Sequence, residues 1–360
     1  MIREIQVKNF KCFEDLKMNL SHLNVLTGIN GMGKSTTIQV LLLLRQAFDN
    51  NCLNKKLQLN GNLVNIGHGK DILFRGSDTD EIEIKILFDF GQMEWMYSYN
   101  ADSPDLQVSS ATPEGQFEIG RESLFNKTFS YVSAERLGPQ RYYNETTSVH
   151  YEDSQIGKNG ELFVSYLAKY GNDSIINKKV VHPEAKSDIL IYQFQTWLSE
   201  ISPGLMVNPL SYMDAGLVGI NYKIQGEEYT PMNIGFGVSY VAPVILALLK
   251  ATPGDLIIIE NPEAHLHPKG QRKMGELISL AAAGGVQVIV ETHSDHLLNG
   301  IRLSVKNKSI NRNDVSINYY YLDENNQHSK CSPMILDDGE LSDWPEGFFD
   351  EWDKALGELI

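Results

Sequence analysis

The sequence predicts an α/β fold with a mainly parallel central sheet, and two observations lead to that prediction. First, aliphatic strands alternate along the chain with apolar helical segments, which is the pattern of strand–helix–strand units. Second, three of these strands run into glycine-rich or polar residues, near Gly28, Glu260 and His293. Ligands bind beyond the carboxyl ends of strands in open parallel sheets, so we expect these residues to share one site.

Composition narrows the class of protein. The chain has 360 residues, 42% of them hydrophobic, which is enough for a large buried core. Its net charge of −15 argues against a surface of positive potential for duplex DNA, although a local basic groove stays open. Cys12, Cys52 and Cys331 form no CxxC pair, which disfavours a disulfide scaffold or a structural zinc site.

Neither a secretory signal nor a bilayer span is apparent in the sequence. Residues 1–4 lack the charged-then-apolar pattern of a signal peptide. The longest aliphatic run, residues 40–44, is too short to cross a bilayer. We therefore expect a cytoplasmic protein with no membrane partner.

The first 140 residues are predicted to be rich in strands. Residues 2–10 alternate roughly between apolar and polar, and residues 23–26 form a second strand before a glycine-rich loop. An apolar helix is expected over residues 36–48. Short segments at 81–89 and 94–99, separated by turn residues, predict an antiparallel β subdomain.

The remaining chain divides into two patterns. Residues 141–227 have helical periodicity at 160–169 and 187–201 and are interpreted as an inserted lobe. The elements expected after them are a helix following Gly237, a strand at 256–259, a helix at 270–283 and a strand at 286–290.

A phosphate-binding loop is the strongest motif. Gly28-x4-Gly33-Lys34-Ser35 matches the full pattern, and it lies directly between a strand and a helix. Its glycines let backbone N–H groups point at phosphate oxygens. Lys34 would reach the β- and γ-phosphates, and the Ser35 hydroxyl would bind Mg²⁺. The predicted nucleotide contacts in this loop are Asn30, Gly31, Gly33, Lys34, Ser35 and Thr36.

The strand at 256–259 runs into Glu260-Asn261-Pro262-Glu263. Such a strand end can hold the Mg²⁺ shell through Glu260 and orient an attacking water. A zinc site is the alternative, because two histidines follow Glu263. The i, i+4 histidine spacing is absent, however, and we expect Pro268 to break any helix there.

Two further motifs each have an alternative interpretation. His293 follows the strand at 286–290, where a satisfied core or surface histidine is the other interpretation. Gly235, Gly237 and Ser239 precede the apolar helix at 241–249 and would form a second anion-binding helix end. Two glycines at a helix start are otherwise typical of a tight turn.

These pieces in this order resemble the ABC-type ATPase heads of the SMC, RecF and OLD (overcoming lysogenization defect) group. The resemblance covers Walker A, Walker B with its following loop at 256–268, and the switch histidine His293. Residues 7–13 resemble the group's first strand, which implies that Lys11 approaches the nucleotide. In the stretch that corresponds to the Q-loop, charge alone favours a contact by Arg136 or Arg141.

Residues 131–139 and 344–350 resemble a poorly characterised bacterial subfamily of stand-alone ATPases. Its members often look like components of anti-phage or mobile-element systems and are paired with an effector. The resemblance implies an ATP hydrolase with the cofactors ATP and Mg²⁺. It also implies an effector such as a nuclease or toxin encoded alongside, with nucleic acid contacted through that complex.

For this group the resemblance implies a head-to-tail homodimer with two ATP molecules at its interface. Each site would take Lys34 and Ser35 from one protomer and the signature residues 235–239 from the other. The implied regions are 1–140 and 228–336 for the two parts of the ATPase core, 141–227 for the inserted lobe, and 337–360 for an acidic–aromatic tail.

Two departures from the group's pattern bear on catalysis. The usual Asp-Glu pair of Walker B reads Glu260-Asn261, and an amide cannot take a proton from water. Glu263 is the obvious substitute, so either it acts as the base or hydrolysis is slow. The signature lacks Leu-Ser-Gly-Gly-Gln, with Gly235 in the serine position, and whether Ser239 replaces that hydroxyl stays open.

Two other functions remain possible from the sequence: a RecF-like DNA-binding repair ATPase, and an ATP-sensing scaffold that hardly hydrolyses ATP.

The C-terminal tail has two interpretations. It has nine acidic residues against the single Lys354, interleaved with Trp344, Phe348, Phe349 and Trp352. Its aromatic residues either pack on the protein's own core or anchor a basic partner.

Overall fold

A computed structural model gives the structure of this chain and describes residues 1–112, 118–145 and 155–359. Its strands are β1 Ile2–Phe10, β2 Phe13–Asn19, β3 Leu23–Gly28, β4 Lys56–Gln58, β5 Glu81–Phe88, β6 Gly91–Ser98, β7 Asp105–Ala111, β8 Phe129–Val132, β9 Tyr143–Asn144, β10 Met206–Tyr212, β11 Leu217–Ile224, β12 Glu227–Tyr229, β13 Leu256–Glu260, β14 Gln287–Glu291, β15 Val315–Leu322 and β16 His328–Cys331. Its α-helices are α1 Lys34–Asp49, α2 Phe163–Tyr170, α3 Leu190–Ile201, α4 Phe236–Lys250, α5 Pro268–Ala283, α6 Asp295–Lys306 and α7 Glu351–Leu359.

The central sheet has the strand order β16-β15-β3-β14-β13-β8. All of its neighbouring pairs are parallel except β15 and β16. Leu26 at the end of β3 is in register with Glu291, and Glu291 is in register with Glu260. The predicted α/β fold with a mainly parallel core is confirmed, and the polar ends of three adjacent strands meet at one edge of the sheet.

An antiparallel sheet of the first 111 residues covers one side of this core. Its strand order is β2-β1-β5-β6-β7-β4. Trp95 and Tyr97 are fully buried in it, and they share a hydrophobic cluster with the leucines of α1. The helix at the phosphate-binding loop is therefore held by the β subdomain, which the sequence predicted through β5 and β6.

The stretch predicted as an inserted lobe contains α2, α3 and the antiparallel strands β9 to β12. Both helices begin three residues later than predicted. Phe163, Phe194 and Trp197 are buried in the same hydrophobic cluster as α4 and the inner face of the central sheet. The lobe therefore shares its core with the C-terminal half, while the boundaries 141–227 remain a prediction.

Helix α5 begins at Pro268 and residues 263–267 are not helical, so the prediction that no helix runs through the histidine segment into this proline is confirmed. Proline is well tolerated in the first turn, because that position's N–H has no partner within the helix and the fixed φ angle is helical. His267 caps the helix, with its Nδ1 accepting a hydrogen bond from the Lys269 amide at 3.3 Å.

The C-terminal tail folds back onto the protein's own core. Phe348 is fully buried and packs edge-on against Tyr319 with ring centroids 5.1 Å apart. The Tyr319 hydroxyl donates to the Glu346 carbonyl at 3.0 Å. Trp344 is 49% exposed and lies under the Arg302 guanidinium. Packing on the core therefore accounts for Phe348, whereas the side chain of Trp352 lies outside the described part of the structure.

None of the helices in the described ranges is both long and apolar enough to cross a membrane.

The tail packing predicts unequal effects of two aromatic substitutions. Phe348→Ala removes a completely buried ring and is expected to lower the free energy of unfolding by about 3–5 kcal/mol. Trp344→Ala removes a half-exposed ring, and about 1 kcal/mol or less is expected. Chemical denaturation of both variants measures the difference, and equal losses would contradict the assigned packing.

Candidate functional site

The phosphate-binding loop is shaped by glycines that no other residue can replace. Gly28 has a φ of +138°, and a Cβ there would lie 2.2 Å from the Tyr320 carbonyl oxygen. Gly33 has a φ of +106°, and its Cβ would lie 2.3 Å from the Phe13 ring. Asn30 and Gly31 are exposed at the loop tip, so their backbone is accessible to a ligand.

Lys34 opens α1 and points back into this loop. Its Nζ donates to the carbonyls of Gly28 and Ile29, both at 2.8 Å. Burial lowers the pKa of Lys34, and the charge of Glu291 acts in the opposite direction. The ammonium group is thus already held where phosphate oxygens would replace the loop carbonyls.

Ser35, the predicted metal ligand, is paired with a carboxylate that sequence reasoning missed. Its hydroxyl lies 3.0 Å from both carboxylate oxygens of Glu291, the last residue of β14. Burial, together with the charge of Glu260, raises the pKa of Glu291 to about 7. The one signal in the sequence was the position of Glu291 at a strand end, directly before Thr292 and His293.

Glu260, the other predicted metal ligand, faces the loop that follows β8. Its Oε2 accepts a hydrogen bond from the Ala134 amide at 3.0 Å, and the Tyr131 hydroxyl is a second partner. Burial raises the pKa of Glu260. The sheet edge thus brings Ser35 and Glu260 into one site, but the hydrogen bond of Ser35 goes to Glu291.

Glu263 and His293, both predicted as catalytic, are in direct contact. Glu263 Oε1 accepts from the His293 amide at 2.8 Å, and the Thr292 hydroxyl also hydrogen-bonds this carboxylate. The second oxygen, Oε2, is buried without a hydrogen-bond partner among the described residues. Burial raises the pKa of Glu263. Burial and the nearby Lys34 charge lower the pKa of His293.

Asn261 forms the turn between Glu260 and Glu263. Its φ of +44° is left-handed, and its backbone N–H donates to the Glu291 carbonyl at 2.8 Å. The buried Arg136 donates to the carbonyls of Glu260 and Asn261 at 2.7 and 2.6 Å. Burial lowers the pKa of Arg136 to about 10. Arg136 therefore holds the Walker B turn in place through backbone carbonyls.

The predicted signature residues lie at the start of α4 and differ in accessibility. Gly235 is exposed at the helix N-cap, and Phe236 is 60% exposed. Gly237 packs so closely that a Cβ would lie 2.6 Å from the His265 carbonyl oxygen. Ser239 is only 2% exposed, and its Oγ has no partner among the described residues. Ser239 is therefore inaccessible in this protomer, and its contact with nucleotide on a second protomer stays a prediction.

Lys11 and Thr36 lie where β1 approaches α1. Lys11 Nζ donates to Gln39 on α1 at 2.8 Å, and Cys12 Sγ lies 3.8 Å from Thr36 Oγ1. Burial lowers the pKa of Lys11. The structure therefore brings the predicted basic residue beside the helix that carries Lys34 and Ser35.

The donor set fits a magnesium–nucleotide complex. Glu260, Glu263 and Glu291 are partly or fully buried at one sheet edge, and burial raises the pKa of each because it disfavours the charged form, which a bound cation would stabilise. Within the described ranges, no group of three His, Cys, Asp or Glu side chains could hold a metal ion by itself. Mg²⁺ normally uses one or two carboxylates, with phosphate and water oxygens completing its shell.

A cavity of about 340 Å³ adjoins the loop. It is lined on one side by Gly28, Ile29 and His293, and on the other by Tyr319 and tail residues that include Phe349 and Lys354. The C-terminal tail therefore forms one wall beside the phosphate-binding loop.

Two protein families match the sequence. Residues 23–299 match the family described as an AAA domain, putative AbiEii toxin, type IV TA system. Residues 310–359 match a family described as a protein of unknown function, DUF3696. A search of curated proteins finds no match.

Solved structures with a similar fold include SMC heads. One, an SMC head bound to the C-winged helix domain of ScpA, has a TM-score of 0.53 at 13% identity over 92% of this chain and 97% of that chain. The SMC head of Thermotoga maritima scores 0.50 at 11% identity over 92% and 98%. An SMC head derived from Pyrococcus furiosus, with an extended coiled coil and a bound ScpA domain, scores 0.53 at 12% over 99% of both chains. At these identities the likeness establishes the fold.

The contact between α4 and the loop after β13 predicts a diagnostic pair of glycine substitutions. Gly→Ala inside a helix ordinarily stabilises by about 1 kcal/mol. Gly237→Ala is instead expected to destabilise by about 1–3 kcal/mol, because its methyl group would overlap the His265 carbonyl. Gly235→Ala meets nothing within 4 Å and should change stability by less than about 1 kcal/mol. Thermal and urea unfolding check both; a stabilised Gly237→Ala variant would refute the close contact.

Proposed function

We propose that this chain, which belongs to the AAA domain family described as a putative AbiEii toxin of type IV TA systems, is an ATP-hydrolysing subunit whose nucleotide-dependent dimerisation controls an associated effector. One observation carries the proposal. Lys34, Ser35, Glu263 and His293 come from three different elements and converge at the carboxyl edge of one parallel sheet. This arrangement supplies a phosphate cradle, a metal-binding hydroxyl and a candidate base together.

ATP binding would rest on the phosphate-binding loop. Lys34 would exchange its two loop carbonyls for phosphate oxygens, and backbone N–H groups at the start of α1 would donate to the same phosphates. Lys11 would add positive charge from the β1 side. Bound Mg²⁺ would supply charge neutralisation at the phosphates, with Ser35 among its ligands.

Glu263 is the group best placed to act as general base. One of its oxygens is fixed by the His293 amide, while the other, Oε2, is buried without a hydrogen-bond partner among the described residues, so an attacking water would enter the site to reach it. Its pKa, raised by burial, makes it a better proton acceptor than an exposed carboxylate. Asn261 can orient the water through its side-chain amide, and the exposed His293 side chain would contact the γ-phosphate.

Dimerisation would complete each site with the partner's signature region. Gly235 and Phe236 are exposed at the N-terminus of α4, so they are available to a second protomer. ATP held by both chains would stabilise the dimer, and loss of the γ-phosphate would weaken it. The family description names a putative toxin of a type IV TA system, and on our proposal the controlled effector is a nuclease or toxin in a defence system.

A second candidate is an ATP-sensing scaffold that holds its partner without appreciable turnover. Asn261 favours it, because an amide replaces the carboxylate expected directly after Glu260.

The net charge of −15 disfavours direct duplex binding by this chain, so nucleic acid is assigned to the effector complex.

Loss of the loop ammonium is expected to abolish nucleotide binding. Lys34→Ala should weaken ATP binding by about 100-fold or more, because charged hydrogen bonds to the phosphates disappear. The control is Lys70→Ala, an exposed lysine outside the site. Equilibrium binding of a fluorescent ATP analogue measures both, and normal binding by Lys34→Ala would refute the site.

Steady-state ATP turnover distinguishes the two candidate functions. Glu263→Gln should lower kcat by about 100-fold or more if Glu263 is the base, while ATP binding persists and the dimer accumulates. Glu227→Gln, on the exposed strand β12, is the matched control. Rapid turnover retained by Glu263→Gln would exclude Glu263 as the base. Tight ATP binding without turnover in either the wild type or the variant would instead favour the scaffold.

A further inference from the structure

We propose that Glu291 supplies the carboxylate that binds the Mg²⁺ of bound ATP, whereas Glu260, at the usual Walker B position, positions the loop after β8. This inference rests on the proposed function, because it concerns the metal that accompanies ATP. It assigns metal binding to Glu291 instead of Glu260, the residue expected from the Walker B position.

The distance between Ser35 and Glu291 matches a shared metal shell. An octahedral Mg²⁺ ion with bonds of 2.0–2.1 Å holds neighbouring ligand atoms about 2.9 Å apart. The Ser35 hydroxyl lies 3.0 Å from each oxygen of Glu291. A cation bound by the Ser35 hydroxyl can therefore take a Glu291 oxygen as an adjacent ligand with little movement of either side chain.

Strand order favours the same residue. β14 lies directly beside β3, and the Thr292 amide donates to the Leu26 carbonyl at 3.0 Å. β13, which carries Glu260, is one strand further from the phosphate-binding loop, a step of about 4.8 Å. The backbone of Glu291 is therefore closer to the phosphate-binding loop and Ser35 than the backbone of Glu260.

Glu260 is already engaged on its other side. Its carboxylate receives hydrogen bonds from the Ala134 amide and the Tyr131 hydroxyl, both belonging to β8 or the loop that follows it. Arg136 in that loop donates to the Glu260 carbonyl at 2.7 Å. These contacts connect β13 to the β8 loop and make Glu260 a positioning residue.

Mn²⁺ is a suitable probe, since it takes oxygen ligands as Mg²⁺ does and is detected directly by electron paramagnetic resonance. We would titrate Mn²⁺ into the 360-residue chain with saturating ATP, comparing Glu291→Gln with Glu260→Gln. Glu291→Gln is expected to weaken Mn²⁺ binding tenfold or more, whereas Glu260→Gln should stay within about threefold of the wild type. ATP binding in EDTA serves as the metal-free control and should be retained by both variants.

The possible outcomes separate this inference from the proposed function. Loss of Mn²⁺ affinity in Glu260→Gln but not in Glu291→Gln overturns the assignment, and equal losses in both overturn the division of roles. A wild-type protein that binds no ATP refutes the proposed function itself. Glu291→Asp serves as a second variant in case Glu291→Gln fails to fold. Because it retains a carboxylate, it should bind Mn²⁺ measurably more tightly than Glu291→Gln. Equal Mn²⁺ affinity in the two variants would contradict direct ligation by Glu291.

Discussion

The site depends on three carboxylates held at one edge of a parallel sheet. The register of β13 and β14 places Glu260 beside Glu291. The turn at Asn261 brings Glu263 to the same end of the sheet. Burial makes their ionisation costly, and Lys34 offsets only part of that charge. The arrangement thus suits a cation with bound phosphate, and the surrounding loops hold the carboxylates in place.

Several motifs that are separate in sequence form one continuous set of contacts. The Arg136 guanidinium binds the Walker B turn through its carbonyls and lies 5.8 Å from the Tyr240 ring centroid on α4. Tyr240 in turn packs edge-on against His265 at 4.7 Å. The loop after β8, the Walker B loop and the helix that carries the signature residues therefore cannot shift independently of one another.

Motif position predicted most of this architecture, and the resemblance to the SMC, RecF and OLD group is confirmed by the family and the fold. What the sequence could not predict are contacts that depend on side-chain direction. Strand periodicity does not say that the Ser35 hydroxyl meets Glu291, or that Ser239 faces inward at the start of α4. The sequence predicts correctly that no helix runs through His265 and His267 into Pro268, but it does not predict that this proline itself opens α5. The residue roles themselves remain predictions.

The region matched by the second family is not structurally separate from the region matched by the first. Residues 310–359 include β15, which pairs directly with the phosphate-loop strand β3 inside the central sheet, and the tail that lines the cavity beside Gly28. A boundary drawn between the two matched regions would pass through one hydrophobic core. The C-terminal region is thus an integral layer of the nucleotide-binding domain, and we expect the two segments to be inherited, expressed and exchanged as a single unit.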